Sequence, residues 1–318
     1  MPELERLAIL DDYQGVTLKL GPWDRLPGLA KTVFRDTLAD PDALVARLAP
    51  FDAILAMRER TPFPRTLIER LPNLKLLITT GERNRGIDAA ACTGQGITLC
   101  GTPSFGAPTV DLTWGLILSL ARRIPEQAQA LRTGQWQTQI GIGLEGRTLG
   151  VVGLGKLGTR VARIGQALGM EVIAWSTNLT AEAAAAAGAT RVGKAELFAR
   201  ADVVTLHLIL SDRSRGIVGG AEIAAMKPGA MLVNTSRGPL VDQAALLEAL
   251  HAGRIHAGID VYDIEPLPSG HPLLKAPNTL LTPHLGYVTE ENYRAYFAGA
   301  VEAIEAFQAG APVRVITG

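Results

Sequence analysis

The sequence has little that would place the protein outside the cell or in a membrane. It has only two cysteines, Cys92 and Cys100. Two thiols are too few for a disulfide scaffold or a structural zinc site, so we expect no metal ion and a reducing, cytoplasmic location. The most apolar stretch, residues 112–121, is about half as long as a transmembrane helix must be. The start of the chain contains two acids in six residues and no apolar segment, so no signal peptide is expected.

An excess of charge of either sign is also missing. Lysine plus arginine (31) equals aspartate plus glutamate (31), so the formal net charge is zero. Proteins that bind nucleic acids or anionic membrane surfaces depend on a cationic excess to contact phosphates. We therefore expect neither of these partners. Disorder is excluded as well, because 47% of the residues are apolar.

The chain does have a regular alternation of strand-length apolar runs and helical segments over 318 residues, roughly the length of two domains. This alternation is typical of α/β proteins with parallel sheets. The predicted strands are residues 7–10, 32–34, 53–57, 75–79 and 97–100, then a strand from Thr148 and residues 172–175, 203–208, 231–234, 256–261 and 279–282. The predicted helices include residues 41–48, 64–71, 87–93, 108–123, 156–168 and 289–309, the last of which ends at Gly310. Residues 134–146 carry four glycines and predict an exposed arm.

A glycine-rich motif follows the first strand of the second series. Gly153, Gly155 and Gly158 form G-x-G-x-x-G between an apolar strand and a helix. Gly153 permits the tight turn, Gly155 lets a pyrophosphate approach the backbone, and Gly158 lets helix and strand pack closely. The segment also fits G-x-x-x-x-G-K through Lys156, but Leu157 replaces the Ser/Thr that a magnesium-binding P-loop needs. The motif therefore predicts binding of a dinucleotide.

The residues after the next predicted strand do not decide between NAD and NADP. An acid at its end would normally bond the ribose hydroxyls and repel a 2′-phosphate. Here Ser176, Thr177 and Asn178 follow the strand, so no carboxylate is present. No arginine follows immediately either. Both cofactors are admissible, and we expect NADP to be used at least as well as NAD.

Three predicted strands are each followed by a residue suited to catalysis. His284 comes just after a short apolar strand, which is where α/β folds place ligand contacts. A histidine there is a natural proton donor near pH 7. Arg237 and Glu265 follow the two preceding strands, where an arginine can bind a carboxylate and a glutamate can stabilise an imidazolium. Each alone is more often part of a surface ion pair, but the joint occurrence favours an active site.

These motifs resemble those of the D-isomer-specific 2-hydroxyacid dehydrogenase family, which includes phosphoglycerate, glyoxylate/hydroxypyruvate and D-lactate dehydrogenases. The resemblance covers nearly the whole chain and rests on residues 153–158, 234–242, 258–268 and 282–286. It implies an oxidoreductase that transfers a hydride between a nicotinamide cofactor and C2 of a small 2-oxo acid or D-2-hydroxy acid. The alternative is a nucleotide-sensing binding protein on the same fold, like the corepressors of the family.

The resemblance also implies an architecture. It predicts two doubly wound parallel-sheet α/β domains, with a Rossmann cofactor domain inserted in a flavodoxin-like substrate domain. Residues 104–285 would form the NAD(P)-binding domain, and residues 1–103 plus 286–318 the substrate domain. A homodimer is expected, in which the arm around Trp136 packs against the partner subunit, although Trp136 packed on its own domain remains the alternative.

By resemblance, Arg237 binds the substrate carboxylate and carbonyl, His284 is the acid/base, and Glu265 orients and charges it. Asp260 resembles the residue that bonds the nicotinamide carboxamide. The residues implied in cofactor binding are Gly153, Gly155, Lys156, Leu157, Gly158, Ser176, Thr177, His207, Thr235, Ser236, Arg237, Asp260, His284 and Gly286.

The substrate-binding residues are predicted from two loops. By resemblance, the loop with Gly81, Glu82 and Arg83 offers its backbone N–H groups to the substrate carboxylate, although the family usually has small apolar residues there. Arg58 and Arg60 follow the neighbouring predicted strand and resemble in part the Arg-x-Arg that meets the phosphate in phosphoglycerate dehydrogenases. Such arginines would recognise a second anionic group on the substrate. The alternative is that they only form surface ion pairs with the adjacent acids.

Overall fold

The computed structural model describes residues 3–318, so the first two residues of the acidic start lie outside the described residues. The chain divides into an inserted unit, Gly106–Tyr287, and a terminal unit made of residues up to Phe105 together with Val288–Gly318. Both junctions lie two residues beyond the boundaries expected from the sequence. Between residues 3 and 318, no helix is long and apolar enough to cross a membrane.

The terminal unit is built on a five-stranded parallel sheet of order β2-β1-β3-β4-β5. The strands are β1 (Arg6–Ile9), β2 (Ala30–Val33), β3 (Ala53–Ala56), β4 (Leu76–Thr79) and β5 (Thr98–Gly101). The helices are α1 (Thr17–Leu20), α2 (Pro41–Leu48), α3 (Arg65–Ile68), α4 (Ala89–Gly94) and, after the inserted unit, α12 (Glu290–Gln308). Helices α2, α3 and α4 share a core with one face of the sheet, while α12 contacts β4 and β5.

The inserted unit has a seven-stranded parallel sheet of order β12-β11-β10-β9-β6-β7-β8. The strands are β6 (Thr148–Val152), β7 (Glu171–Trp175), β8 (Thr190–Arg191), β9 (Val203–Leu206), β10 (Met231–Asn234), β11 (His256–Ile259) and β12 (Thr279–Leu281). The helices are α5 (Ala107–Arg122), α6 (Ile124–Arg132), α7 (Lys156–Ala167), α8 (Ala181–Ala186), α9 (Lys194–Arg200), α10 (Gly220–Ala225) and α11 (Gln243–His251).

Helices cover both faces of the seven-stranded sheet. Val151 and Val203 belong to a core with α5 and α7, whereas their neighbours Val152 and Val204 belong to a second core with α9, α10 and α11. Because both faces are buried, these strands read as continuous apolar runs instead of alternating patterns. The structure therefore has the predicted fold class, with parallel sheets in both units.

Two local features differ from the expectations. The helix predicted at residues 64–71 spans only Arg65–Ile68, because Pro72 disfavours the helical conformation for Leu71 before it. Strand β8 was not predicted, since two residues are too few to give a pattern. The C-terminal helix ends as expected, with Gly310 at a φ of +77° and an Ala311 N–H bonded to the Ala306 carbonyl.

Candidate active site

The glycine-rich turn lies between β6 and α7, as the sequence predicts. Gly153 has a φ of +99°, and a Cβ there would lie 2.8 Å from the backbone carbonyl of His207. A Cβ on Gly158 would lie 2.1 Å from the carbonyl oxygen of Gly153. Side chains are therefore excluded at both positions, one by the turn and the other by the packing of the helix on the turn.

Gly155 has a different role from the other two glycines. It is the N-cap of α7, and a Cβ there would meet nothing within 4 Å. The first N–H groups of α7 and the positive end of its dipole thus face open space. Lys156 and Leu157 are the first helical residues beside this opening. An open backbone cradle at a helix N-terminus fits the pyrophosphate of a dinucleotide.

Three adjacent strands bring the predicted catalytic residues to one edge of the sheet. Asn234, Ile259 and Leu281 lie in register at the carboxyl ends of β10, β11 and β12. Arg237 and His284 each follow the end of their strand by three residues. The carboxyl edge of a parallel sheet is where α/β folds bind ligands, so the expected clustering of strand ends occurs.

His284 and Glu265 are in direct contact. Nδ1 of His284 lies 2.5 Å from Oε2 of Glu265, and the two side chains are 19% and 24% exposed. The second carboxylate oxygen accepts a hydrogen bond of 2.8 Å from the backbone N–H of Tyr262. The carboxylate thus holds the imidazole ring in one orientation. Because Nδ1 is engaged, Nε2 of His284 is the nitrogen that remains for a substrate.

Tyr262 is a positioning residue that sequence reasoning missed. Its hydroxyl donates a hydrogen bond of 3.0 Å to the carbonyl of Thr282. Burial raises the pKa of Tyr262, so the hydroxyl stays protonated and remains a donor. This bond joins the loop that carries Glu265 to the loop that carries His284. The sequence signal was its position inside the 258–268 motif.

The backbone of His284 has an uncommon conformation. Its φ is +52°, which is unusual for a residue other than glycine. The His284 N–H donates to the Thr282 carbonyl at 3.0 Å. The imidazole packs edge-on against Tyr287, with ring centroids 5.3 Å apart. Residues in such conformations cluster at functional sites, where the surrounding contacts hold them in place.

Asp260 holds the loop that carries His284 through three hydrogen bonds. One of its oxygens accepts hydrogen bonds from the Thr282 hydroxyl (2.6 Å) and the Leu285 N–H (2.7 Å). The other accepts the Gly286 N–H at 2.9 Å. Burial raises the pKa of Asp260, and these hydrogen bonds oppose that effect by stabilising the carboxylate. Asp260 therefore fixes the chain on both sides of His284 in addition to any contact with a cofactor.

The loop that carries Arg237 is held by Asn234. The side-chain amide of Asn234 donates to the Arg237 carbonyl (2.8 Å), and its oxygen accepts the Ser236 N–H (3.0 Å). Gly238 packs so closely on the neighbouring loop that a Cβ would lie 2.3 Å from the Tyr262 carbonyl carbon. Arg237 is half-buried, and its Nη1 donates to the Ser236 carbonyl at 2.7 Å. The loops of Arg237 and Glu265 are thus in contact.

The other predicted cofactor residues lie at the same edge of the inserted sheet. The Thr235 hydroxyl contacts that of Thr113 at 2.8 Å, and the Ser236 hydroxyl donates to the Leu208 carbonyl at 2.7 Å. His207 directly follows β9, where burial lowers its pKa to about 4, so its imidazole is neutral at pH 7. Ser176 and Thr177 follow β7, the first half-buried and the second exposed.

In the terminal unit, the predicted substrate loops also share a sheet edge. Strands β3 and β4 pair through Ala56 and Thr79, and Arg58 and Gly81 follow them. The guanidinium of Arg58 covers Gly81, since a Cβ there would lie 1.9 Å from Nη1 of Arg58. The Gly81 N–H donates to the Thr102 hydroxyl at 2.8 Å. That amide is therefore engaged within the protein.

Arg60 is held on several sides. Its Nη1 donates to the Asp11 carbonyl at 2.7 Å, and its guanidinium lies 4.4 Å from the centre of the Tyr13 ring. Arg58 has a weak ion pair of 3.7 Å with Glu59. These contacts match part of the alternative in which the arginines are structural. The predicted residues Glu82 and Arg83, in contrast, are exposed.

The chain is similar to known proteins over most of its length. The family model described as D-isomer specific 2-hydroxyacid dehydrogenase, NAD binding domain, matches residues 114–286, more than half of the chain. The D-3-phosphoglycerate dehydrogenase of Methanocaldococcus jannaschii is 37% identical over 298 residues, which cover 92% of this chain and 54% of that protein. This chain thus spans about half the length of that relative.

Two further relatives match over their full lengths. The hydroxypyruvate reductase of Blautia hydrogenotrophica is 30% identical over 325 residues, covering 98% of this chain and 99% of that protein. The crystal structure of a phosphoglycerate oxidoreductase from Vibrio cholerae has a TM-score of 0.92 and 41% identity, covering 97% of this chain and all of that chain.

These matches confirm the predicted oxidoreductase and a nicotinamide cofactor, and they do not favour the nucleotide-sensing alternative. The chain belongs to the D-isomer-specific 2-hydroxyacid dehydrogenase family.

Proposed function

We propose that the chain interconverts a small 2-oxo acid and the corresponding D-2-hydroxy acid, with Arg237, Glu265 and His284 as its catalytic residues. The observation that carries this proposal is the 2.5 Å contact between Nδ1 of His284 and the carboxylate of Glu265. A histidine held in this way at the carboxyl edge of a parallel sheet is placed to donate a proton to a bound substrate.

When bound, the cofactor supplies the hydride that reduces C2 of the 2-oxo acid. Arg237 binds the substrate carboxylate and stabilises the negative charge that develops on the carbonyl oxygen. His284 donates its Nε2 proton to that oxygen, while Glu265 stabilises the imidazolium before the transfer. In the oxidative direction the neutral imidazole accepts the hydroxyl proton. Acid/base catalysis of this kind contributes about 10²–10⁴-fold to the rate.

Measuring turnover of 2-oxo acids tests the proposal. Initial rates with glyoxylate, hydroxypyruvate, pyruvate and bulkier 2-oxo acids, each with NADH and NADPH, are followed by nicotinamide absorbance. We expect reduction of at least one of these acids. A protein that only senses nucleotides would bind the cofactor without oxidising it in the presence of any of them.

The arginines of the terminal unit point to the class of substrate. Arg58 and Arg60 follow β3, and Arg83 and Arg85 follow the neighbouring strand β4. We infer that they recognise a second anionic group on the substrate, since guanidinium groups bind phosphates and carboxylates through paired hydrogen bonds. The relatives named as acting on phosphoglycerate support this inference.

The exposed Arg83 gives the clearest test of this substrate class. Arg83→Ala should raise KM for a 2-oxo acid with a second anionic group by about tenfold, and salt should weaken binding to the parent enzyme. The KM for glyoxylate should stay unchanged, because that substrate has no second charge. Arg60→Ala should show the same selectivity together with a lower melting temperature, since Arg60 also contacts Asp11 and Tyr13. Preference for bulky apolar acids and an unchanged KM in both variants would make the arginines structural.

We propose that NADPH is used at least as well as NADH. Ser176 and Thr177 offer hydroxyl groups after β7, and no carboxylate there repels a 2′-phosphate. Ser176→Asp should shift the ratio of kcat/KM values toward NADH by at least tenfold, because the new charge repels the phosphate. Steady-state kinetics with both cofactors measures this ratio. A parent enzyme that prefers NADH more than tenfold would contradict the proposal.

We also propose a homodimer in which the arm at residues 134–146 covers a partner subunit. Trp136 and Ile140 in the arm are 76% and 96% exposed, and Leu131 and Ile124 on α6 are 59% and 51% exposed. Several large apolar side chains exposed within residues 124–140 are what an interface of this segment with another subunit would require. Light scattering at micromolar concentration should give the mass of a dimer, and a monomeric mass would contradict this proposal.

A further inference from the structure

An arginine lies beside the loop of residues 176–180 that follows β7, here called the cofactor loop. It is distant in the sequence, since no arginine comes directly after β7. Strand β8 pairs with β7 so that Arg191 is opposite Ala174, two residues before Ser176. The Val192 N–H donates to the Ala174 carbonyl at 3.1 Å, which fixes this register. The sheet thus brings Arg191 next to the residues that would meet the adenosine ribose.

The side chain of Arg191 is anchored to the same loop. Its Nε donates a hydrogen bond of 2.7 Å to the carbonyl of Leu179. The Leu179 N–H in turn donates to the Ser176 carbonyl at 3.1 Å, so both ends of the turn are held. The two terminal nitrogens of Arg191 form no hydrogen bond or ion pair with any of residues 3–318. The N–H groups of Nη1 and Nη2 are therefore available to donate two parallel hydrogen bonds to one phosphate.

The other charged groups nearby are engaged differently. Lys194 forms an ion pair of 2.8 Å with Glu222, and its ammonium lies 5.8 Å from the centre of the Trp175 ring. Glu182 on α8 is fully exposed, and its pKa is lowered mainly by backbone and Thr180 hydrogen bonds, with Arg191 a smaller cause. In the described part of the chain, Arg191 therefore has no acid within the roughly 4 Å of an ion pair, and Glu182 interacts with it only at longer range.

We propose that Arg191 binds the 2′-phosphate of NADP(H) and is the residue that selects this cofactor. The proposal rests on the proposed function, which places a dinucleotide at the G-x-G-x-x-G turn. Arginine suits the task because its planar fork matches phosphate geometry and it is always charged. The uncharged hydroxyl groups of Ser176 and Thr177 would donate further hydrogen bonds to the oxygens of the same phosphate.

Nucleotide fragments test this assignment without turnover. Adenosine 2′,5′-bisphosphate and 5′-AMP differ only in the 2′-phosphate, and isothermal titration calorimetry gives the Kd of each. For the parent protein we expect the bisphosphate to bind about tenfold more tightly than 5′-AMP, with the difference shrinking as salt is raised. Arg191→Ala should abolish this difference and leave the Kd for 5′-AMP within twofold. Arg191→Lys should retain part of it, since a lysine keeps the charge without the fork.

Arg163→Ala is the matched control, because Arg163 is an exposed arginine on α7. It should bind both fragments like the parent protein. Equal weakening of both fragments in Arg191→Ala would mean that Arg191 only shapes the loop, and unchanged binding of both would mean that it does not contact the phosphate. Either result overturns the proposal while the nucleotide site stands. Failure of the parent protein to bind either fragment would overturn the proposed function as well.

Discussion

Replacing His284 with alanine should lower kcat for 2-oxo acid reduction by about 10²–10⁴-fold, the usual contribution of a positioned acid/base. Cofactor affinity should stay within about threefold of the parent value, because the imidazole acts on the carbonyl oxygen and not on phosphates. The structural reason is that Glu265 binds Nδ1 and leaves Nε2 as the proton donor. Steady-state rates and titration of nicotinamide fluorescence measure the two quantities.

His251→Ala is the control for this experiment, since His251 is exposed at the end of α11. That variant should keep the parent kcat and cofactor affinity. Parent-like turnover in His284→Ala would remove His284 from the mechanism. Loss of cofactor binding together with turnover would instead indicate that the loop from Thr282 to Gly286, which Asp260 holds, had collapsed.

Glu265→Gln should lower kcat for reduction and leave cofactor affinity within about threefold of the parent value. Glutamine can still accept a hydrogen bond from the Tyr262 N–H, but its neutral amide is a weaker partner for Nδ1 of His284 than a carboxylate. Steady-state rates and titration of nicotinamide fluorescence measure the two quantities. A parent-like kcat would remove Glu265 from the mechanism.

Gly158→Ala should lower the free energy of unfolding by about 1–3 kcal/mol, the usual cost of overpacking, and abolish measurable cofactor binding. The added methyl group would lie 2.1 Å from the Gly153 carbonyl oxygen, so helix α7 would have to move away from the turn. Urea unfolding and calorimetric titration of the cofactor measure the two effects.

Gly155→Ala is the matched comparison at the same turn. Its Cβ would enter open space, and its φ of −89° suits any residue. This variant should unfold like the parent protein and yet bind the cofactor at least tenfold more weakly, because the methyl group occupies the space of the pyrophosphate. Equal destabilisation of both variants would contradict the distinct roles of the two glycines.

The sequence pointed to residues suited to the chemistry of the site, but not to the residues that hold their loops in place. Arg237, Glu265 and His284 could be proposed because each follows a predicted apolar strand, and strand ends are readable from apolar runs. Asn234 and Tyr262 could not be assigned roles in the same way. The Asn234 amide holds the turn that leads to Arg237, which depends on the local backbone conformation. The Tyr262 hydroxyl joins two loops that are neighbours only because β11 pairs with β12.

Taken alone, the sequence determined the parallel α/β class and the glycine-rich turn of a dinucleotide-binding domain, and it supplied the three residues that we propose as catalytic. These depend on local patterns: runs of apolar residues, glycine spacing and a polar residue after each strand. Only the tertiary structure decided that Glu265 faces Nδ1 of His284, that Arg60 is engaged by Asp11 and Tyr13, and that Arg191 lies at the cofactor loop. Such contacts join distant segments, and strand order and register, which no local pattern encodes, bring those segments together.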